Sequence, residues 1–384
     1  MTSNDNNHRG LLPAGLGDLL PPDAAREAGA IGIAIERFAA FGYERVKPPL
    51  VEFEESLVSG VGRAWARQTF RLLDPESQRM MGVRADMTLQ TARIASSRLA
   101  KAPRPLRLCY AGEVLRVLGA QLSPERQLRQ IGCELIGSLE PAADAEIILL
   151  AVHALTALGV GRLSIDLNLP TMVPAIFGAY GITGDDERNL AAALSRRDAR
   201  TVGAAPGAGA LLQALLEVAG PAPAAIDRLR QLDLPAEAEA ERTRLIAAIE
   251  HIKAQAPDLA LTIDPVERQG FEYQTGLSFT IYARGARREL GRGGRYRIGT
   301  EPGEPAVGFS LFSEPVVSAA PVSPGRPRVY LPFGLAPDIA ERLRADDWIT
   351  VSGLAPAADE RGEAVRLGCG FVIESGATEP VPIG

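Results

Sequence analysis

The stretch Arg107 to Gly137, RLCYAGEVLRVLGAQLSPERQLRQIGCELIG, constrains this chain more than any other. It reads as two β-strands around a loop. The first runs from Leu106 to Leu115 and carries Arg116 at its end; the second runs from Leu128 to Gly137 and alternates Ile131, Cys133 and Leu135 with Gln130, Gly132 and Glu134. One face is therefore apolar and the other polar. An antiparallel pair with one face on a core and the other on water gives the same alternation, and that plain reading stands beside a functional one. The residue types open the second reading. Arg116 is a rigid fork of donors suited to a phosphate or a carboxylate, and Gln130 and Glu134 share a floor that could hold an ammonium or an imidazole.

Around the hairpin the pattern is a core interrupted by one insertion. Asp23 to Phe41 has helical spacing and stops at Gly42. Val46 to Phe53 reads as a strand entered through Pro48-Pro49, which suits an edge. Ala142 to Leu158 is a helical run and Arg162 to Asn168 a strand. The Ala-, Leu- and Glu-rich region that follows breaks at Gly203 to Gly209, Gly220 to Pro223 and Leu234-Pro235, and its spacing predicts three to five short helices. Strands are expected at Leu277 to Ala283 and, more weakly, Arg287 to Leu290. Gly291 to Arg295 reads either as a simple turn or as part of a pocket that Tyr296 closes with its hydroxyl as a polar handle. Past the linker-like VVSAAPVSPGRPR, strands at Val329 to Pro332, Trp348 to Ser352 and Phe371 to Glu374 alternate with helices at Pro337 to Ala345 and Ala357 to Leu367, the order of a small parallel α/β layer.

Bulk properties exclude several classes. A length of 384 residues allows about two or three domains. The formal net charge of −6 argues against a protein whose main work is gripping a polyanion. No apolar run approaches the roughly 20 residues that span a bilayer, and Met1 to Gly10 lacks the apolar core of a secretion signal; the chain reads as cytoplasmic. Cys109, Cys133 and Cys369 are too widely spaced for a metal pattern or a disulfide framework and read as small core residues. His8, His153 and His251 show no metal-ligand spacing, and neither a phosphate-binding P-loop nor a nucleophile elbow is present.

The hairpin resembles motif 2 of class II aminoacyl-tRNA synthetases, and specifically that of histidyl-tRNA synthetase, whose second strand ends in a similar QxGCExxG run. The likeness extends along the chain. LLPAGLGDLLPPDA, Leu11 to Ala24, is similar to the family's N-terminal entry. Val83 to Ala95, VRADMTLQTARIA, resembles the segment that grips the substrate amino group, with Asp86 and Thr88 at the gripping positions. Gly270 to Tyr282, GFEYQTGLSFTIY, and Gly291 to Tyr296, GRGGRY, resemble the two histidine-specific motifs, and Pro305 to Glu314, PAVGFSLFSE, resembles the start of motif 3. Each motif alone is weak, but five in order are strong. The helix and strand near the N-terminus correspond to the dimer-building motif 1, with ordinary core packing an equal reading of the same residues.

The departures fall on cations. A synthetase stabilises charge building on an ATP phosphate with fixed arginines. Where the family places an arginine before the glycine of the first histidine motif, this chain has Gln269, with Arg268 one place early; on a strand, one residue of offset reverses the face. Glu314 is followed by Pro315 instead of arginine, Pro124 stands at an arginine position of the motif 2 loop, and Gln274 replaces the motif's second tyrosine. This combination is similar to the regulatory subunits of ATP phosphoribosyltransferase, the synthetase-like paralogues found beside the short-form catalytic subunit in histidine biosynthesis.

The resemblance implies an α+β fold, a class II synthetase-like antiparallel sheet flanked by helices. The expected division is a disordered tail over 1–10, a core over 11–168 and 262–315, a helical insertion over 169–261, and a linker with a reduced C-terminal α/β domain over 316–384. The implied function is non-catalytic: support of the first step of histidine biosynthesis, with histidine as feedback effector, within a hetero-oligomer (a hetero-octamer by resemblance) that includes a self-dimer. The candidate histidine-like pocket comprises Asp86, Thr88, Arg116, Gln130, Glu134, Tyr273 and Tyr296, with no metal, no cofactor, no membrane partner and no tRNA. The alternatives are an active ligase, either a histidyl-tRNA synthetase or an enzyme adenylating an amino acid for another acceptor, and a tRNA-binding module without chemistry.

Overall fold

The hairpin is the spine of a mixed sheet. A computed structural model of the chain describes residues 11–57, 65–119, 124–268, 274–299, 302–322, 325–374 and 376–383. The tail 1–10, Gln269 and Tyr273 lie outside the described residues. Among the described residues the principal sheet has nine strands, in the order Glu44–Arg45, Leu106–Leu115, Gln127–Ile136, Glu304–Phe312, Gly291–Ile298, Ser278–Ala283, Leu163–Asn168, Ala260–Asp264 and Gly220–Pro221. Most pairs are antiparallel; Glu44–Arg45 joins Leu106–Leu115, and Leu163–Asn168 joins Ala260–Asp264, in parallel.

Both faces of this sheet are covered, which excludes the reading of a strand pair over water. On one side lies the helix Pro141–Ala157, apolar around nearly its whole circumference, with Ile147, Ile148, Leu150, Ala151, Ala154 and Leu155 all buried. It packs on the sheet and against the helices Asp23–Ala40 and Ala236–Gln255, the first of which also lies on the sheet through Phe38 against Phe309. Ile131, Cys133 and Leu135 point into this core, as their spacing required. Across the sheet, the helix Thr88–Ser96 packs Ala92 and Ala95 against Leu106, Leu108, Ile136 and Tyr296. Gln130 and Glu134 therefore stand on a polar face that is itself sealed, at 0% and 1% exposure.

Cys109 and Cys133 are direct cross-strand partners. The Cys109 carbonyl accepts the Val46 amide at 2.9 Å, so its peptide groups face the sheet edge and not the partner strand. The pair is then of the non-hydrogen-bonded kind, in which opposed side chains come closest. Both thiols are free and buried.

Several expected elements differ in detail. Val46 to Phe53 is not one strand: the chain pairs at Glu44–Arg45, breaks across Pro48-Pro49, which lack ladder donors, and re-enters as Val51–Phe53 in a separate three-stranded sheet with Met80–Val83 and Phe70–Leu73. The region after Asn168 holds six helices and two strands among the described residues, not three to five helices. Its apolar residues, including Leu212, Leu229, Leu245 and Ile252, join the same core as the sheet. Arg287 to Leu290 is irregular and forms no strand, and GRGGRY is part of a strand, Gly291–Ile298. Pro315 sits in the first turn of the helix Ser313–Ala319, the one place a helix tolerates it.

The chain divides into two compact units, residues 1–321 and 322–384. In the smaller, three parallel strands, Ile349–Ser352, Arg328–Leu331 and Phe371–Val372, are joined by an antiparallel Val381–Pro382. With the helices Pro337–Ala345 and Glu360–Arg366 they form the α/β layer the alternation predicts. Its core has two faces, one built on Val329, Leu331 and Leu343, the other on Tyr330, Ala364 and Val372.

Candidate functional site

Glu134 is the centre of a buried polar cluster. It lies mid-strand, directly opposite Gly308, where a Cβ would collide with its carboxylate. Tyr110 donates to Glu134 Oε1 at 3.0 Å and Tyr296 to Oε2 at 2.8 Å. The Tyr110 hydroxyl also lies 3.0 Å from Thr88 Oγ1 and 3.1 Å from Ser310 Oγ. Burial pushes the Glu134 carboxyl up to about 8, against the opposing pull of the Tyr296, Thr88 and Tyr110 hydroxyls, and neighbouring Asp86 adds to the rise. At neutral pH the folded chain therefore holds this carboxyl protonated.

Gln130, four residues back on the same face, is fully engaged. Its Oε1 accepts the Met87 amide at 2.9 Å, while Nε2 donates to Asp86 Oδ2 at 3.0 Å and to Ser310 Oγ at 2.6 Å. Asp86 Oδ1 takes the Thr88 amide at 2.8 Å, fixing the entry to the Thr88–Ser96 helix. Asp86 and Gln130 thus build the wall beside the cleft, whereas Thr88, Glu134 and Tyr296 line the cleft itself with Gln274, Arg292 and Ser310. The cleft is tight, ≈20 Å³, room for about one water molecule. Arg116 stands apart from it: the guanidinium lies 4.7 Å from the Trp65 ring centroid and 5.4 Å from that of Phe312, and its Nε donates to the Ala85 carbonyl at 3.4 Å.

Two members of the cluster escaped the reading of the sequence. Tyr110 and Ser310 both lie directly across from Gly132, one on each side. A Cβ there would meet the Tyr110 hydroxyl at 2.5 Å. The glycine between Gln130 and Glu134 was the available signal, since a side-chain-free position inside a strand marks a close approach.

The arginines around the cleft are bound to acids or carbonyls. Arg84 donates to the Glu113 carbonyl at 2.6 Å and the Pro48 carbonyl at 3.1 Å. Arg129 pairs with Glu113 and Glu27, Arg288 with Glu314 and Glu125, and Arg292 with Glu289. Arg295 leaves its strand on the face opposite Tyr296 and is buried against Asp144, Nε to Oδ1 2.7 Å, while Nη1 and Nη2 donate to the Ser138 and Glu140 carbonyls at 2.8 Å. A second, wider cleft of ≈540 Å³ opens on the helical side, lined by Phe41, Arg107, Glu146, Leu149, His251 and Gln255. Its central ion pair is already closed, Arg107 to Glu146 at 2.7 and 2.8 Å, with Tyr43 donating to the same carboxylate at 2.8 Å. Among the described residues no His, Cys, Asp and Glu cluster could hold a metal ion, and no helix is long and apolar enough to cross a membrane.

The family model for histidyl-tRNA synthetase matches residues 15–316. The ATP phosphoribosyltransferase regulatory subunit of Rhodospirillum centenum is 54% identical over 372 residues, spanning 97% of this chain and 96% of its own length. That of Paramagnetospirillum magneticum is 55% identical over 370 residues, with 96% and 97% covered. The chain belongs to the ATP phosphoribosyltransferase regulatory subunit family. Solved structures agree on the fold. A Bacillus halodurans protein described as an ATP phosphoribosyltransferase regulatory subunit/histidyl-tRNA synthetase superposes with TM-score 0.80 at 23% identity, over 93% of this chain and 96% of that one. Histidyl-tRNA synthetase from Nostoc sp. PCC 7120 gives 0.78 at 17%, over 95% and 91%. The α+β class and the synthetase-like body expected from the motifs are thereby borne out. As a member of the regulatory subunit family the chain is a non-catalytic component of an enzyme complex, in keeping with arginines that are committed to structural partners.

Proposed function

We propose that this chain switches on and regulates a separate, short-form ATP phosphoribosyltransferase catalytic subunit at the first step of histidine biosynthesis, and performs no amino-acid activation itself. The observation that carries the reading is identity above half with regulatory subunits along nearly the whole chain, and the chemistry of Gln269, Pro315 and Pro124 supports it. Removing one donor to transition-state charge commonly costs about 10²–10³ in rate, and three cation positions are gone. The assembly is a hetero-oligomer, read as a hetero-octamer built on a self-dimer of the synthetase-like core. Histidine occupies the cleft of Thr88, Glu134 and Tyr296, beside Asp86 and Gln130, and inhibits by favouring one assembly state, since a ligand shifts an equilibrium only through its differential affinity. A mixing experiment tests this. The chain alone should show neither phosphoribosyltransferase activity nor histidine-dependent exchange of pyrophosphate into ATP, and it should raise the activity of a separately purified short catalytic subunit and make it histidine-sensitive. Robust exchange by the chain alone would replace this reading with that of an active ligase.

A further inference from the structure

We infer that Cys109 and Cys133 form a modification site: a small peroxide converts the pair into a disulfide across the hairpin while the fold around it stays closed.

The two thiols are far apart in the sequence and directly opposed in the sheet. Both side chains leave the hairpin on its helical side and join one core cluster. In a pair of the non-hydrogen-bonded kind the Cα atoms stand about 4.5 Å apart, within the roughly 4.4–6.8 Å that a disulfide spans. The backbone therefore already has the spacing. Only the Cys109 thiol has to turn, away from the Tyr43 carbonyl to which it donates at 3.7 Å. Glu134 follows Cys133 directly, so the link also ties down the strand that carries the carboxyl of the tight cleft.

A route to the pair is present. Arg45, on the two-residue edge strand, is the direct partner of Cys109, so that strand alone separates the cysteine from the sheet edge. The wider cleft opens beside it as well. Gly42, next to Tyr43, and Arg107, two residues before Cys109 on the same face, both line that cleft of ≈540 Å³. A peroxide little larger than water passes the remaining side chains, whereas a bulky alkylating reagent does not.

The chemistry balances with hydrogen peroxide as the sole co-reactant. The Cys109 thiolate attacks one peroxide oxygen, the O–O bond breaks, sulfur becomes a sulfenic acid, and the departing hydroxide takes up the thiol's proton as water. Cys133 then attacks that sulfur; the S–O bond breaks, the S–S bond forms, and the Cys133 proton leaves with the hydroxide as a second water. Two thiols lose two electrons and one peroxide is reduced to two waters. Burial pushes the Cys109 thiol up to about 11 against the pull of Arg45, so thiolate is scarce and the first step is slow.

Peroxide treatment of the reduced, folded chain tests this, followed by unfolding, alkylation and peptide mapping by mass spectrometry. The main product should carry a Cys109–Cys133 disulfide and one alkylated cysteine, Cys369, and dithiothreitol should restore all three thiols. The same treatment of the urea-unfolded chain should give mixed pairings that include Cys369. Cys133→Ser should stop at a Cys109 sulfenic acid that a 1,3-diketone traps. Three free thiols in the treated wild type, sulfinic acid on Cys109 in place of the link, or the same pairings from folded and unfolded chain would each overturn the inference. Those outcomes are read on wild type and hold even if the variant does not fold.

Discussion

Glu134 carries its proton because two tyrosines, a threonine and a strand of backbone displace the water that would solvate its charge. With a folded-state value of about 8 against an ordinary 4.5, the native chain retains a proton that the unfolded chain releases between those limits. Stability is therefore full at and below the lower limit, falls as pH rises through the window at up to about 1.4 kcal/mol per unit, and levels off above about 8. Glu134→Gln keeps a polar group of the same shape without the titration. Its urea midpoint should be flatter than wild type's between pH 5 and 8, and an unchanged slope would show that another group carries the dependence. That Glu134 and Tyr296 share a polar cluster was legible because an acid and a hydroxyl on apolar strands need a reason to be there, whereas Thr88, at the start of a helix, was legible only through the segment's resemblance to the synthetases. Gln130 and Asp86 were legible in position but not in role: sequence shows that an amide and a carboxylate face the same way, and not that they satisfy each other.

At the scale of elements, the strand Gly291–Ile298 places consecutive residues on opposite faces, Tyr296 on the cleft and Arg295 against the Pro141–Ala157 helix. Arg295 and Asp144 are 2% and 1% exposed, and burial alone would drive the Asp144 carboxyl upward, an effect the guanidinium opposes. Arg295→Ala leaves that carboxylate and two carbonyls unmatched, and should cost about 3–5 kcal/mol of unfolding free energy. Arg295→Ala with Asp144→Ala should recover part of the loss. A single variant as stable as wild type would mean that the cluster is open to water. This strand was not legible as one. Its three glycines argue for a turn by propensity, and it forms because Gly293 and Gly308 let neighbouring strands and the Phe279 ring approach, a tertiary cause that overrides local preference. The hairpin strands and the Asp23–Ala40 helix were legible because their periodicity and the Gly42 stop agree with their packing. Neither parallel pairing of the large sheet was read, and the strand Ala260–Asp264 was missed because five residues beside long helices give little period to read.

For the whole molecule, each unit has the means to fold by itself. The larger gathers its sheet and helices around one extended core, and the smaller has apolar clusters on both faces of its sheet. A chain ending at Pro321 should give a cooperative thermal transition with native-like circular dichroism, and a non-cooperative, aggregating product would show that residues 322–384 are needed to complete the larger body. The order of motifs in the sequence was enough to define the architecture of this body, because a sheet of fixed strand order leaves few ways to lay the same segments together.

Cys109 and Cys133 are sealed beneath the larger unit's helices, Cys369 is sealed inside the smaller, and burial raises all three thiols away from the reactive thiolate. The native chain is consequently silent to alkylating reagents until one unit opens, and the cysteine that becomes labelled names the unit that opened. The molecule thus carries its own pair of clocks, by which the breathing of its two parts can be timed separately without introducing a single foreign probe.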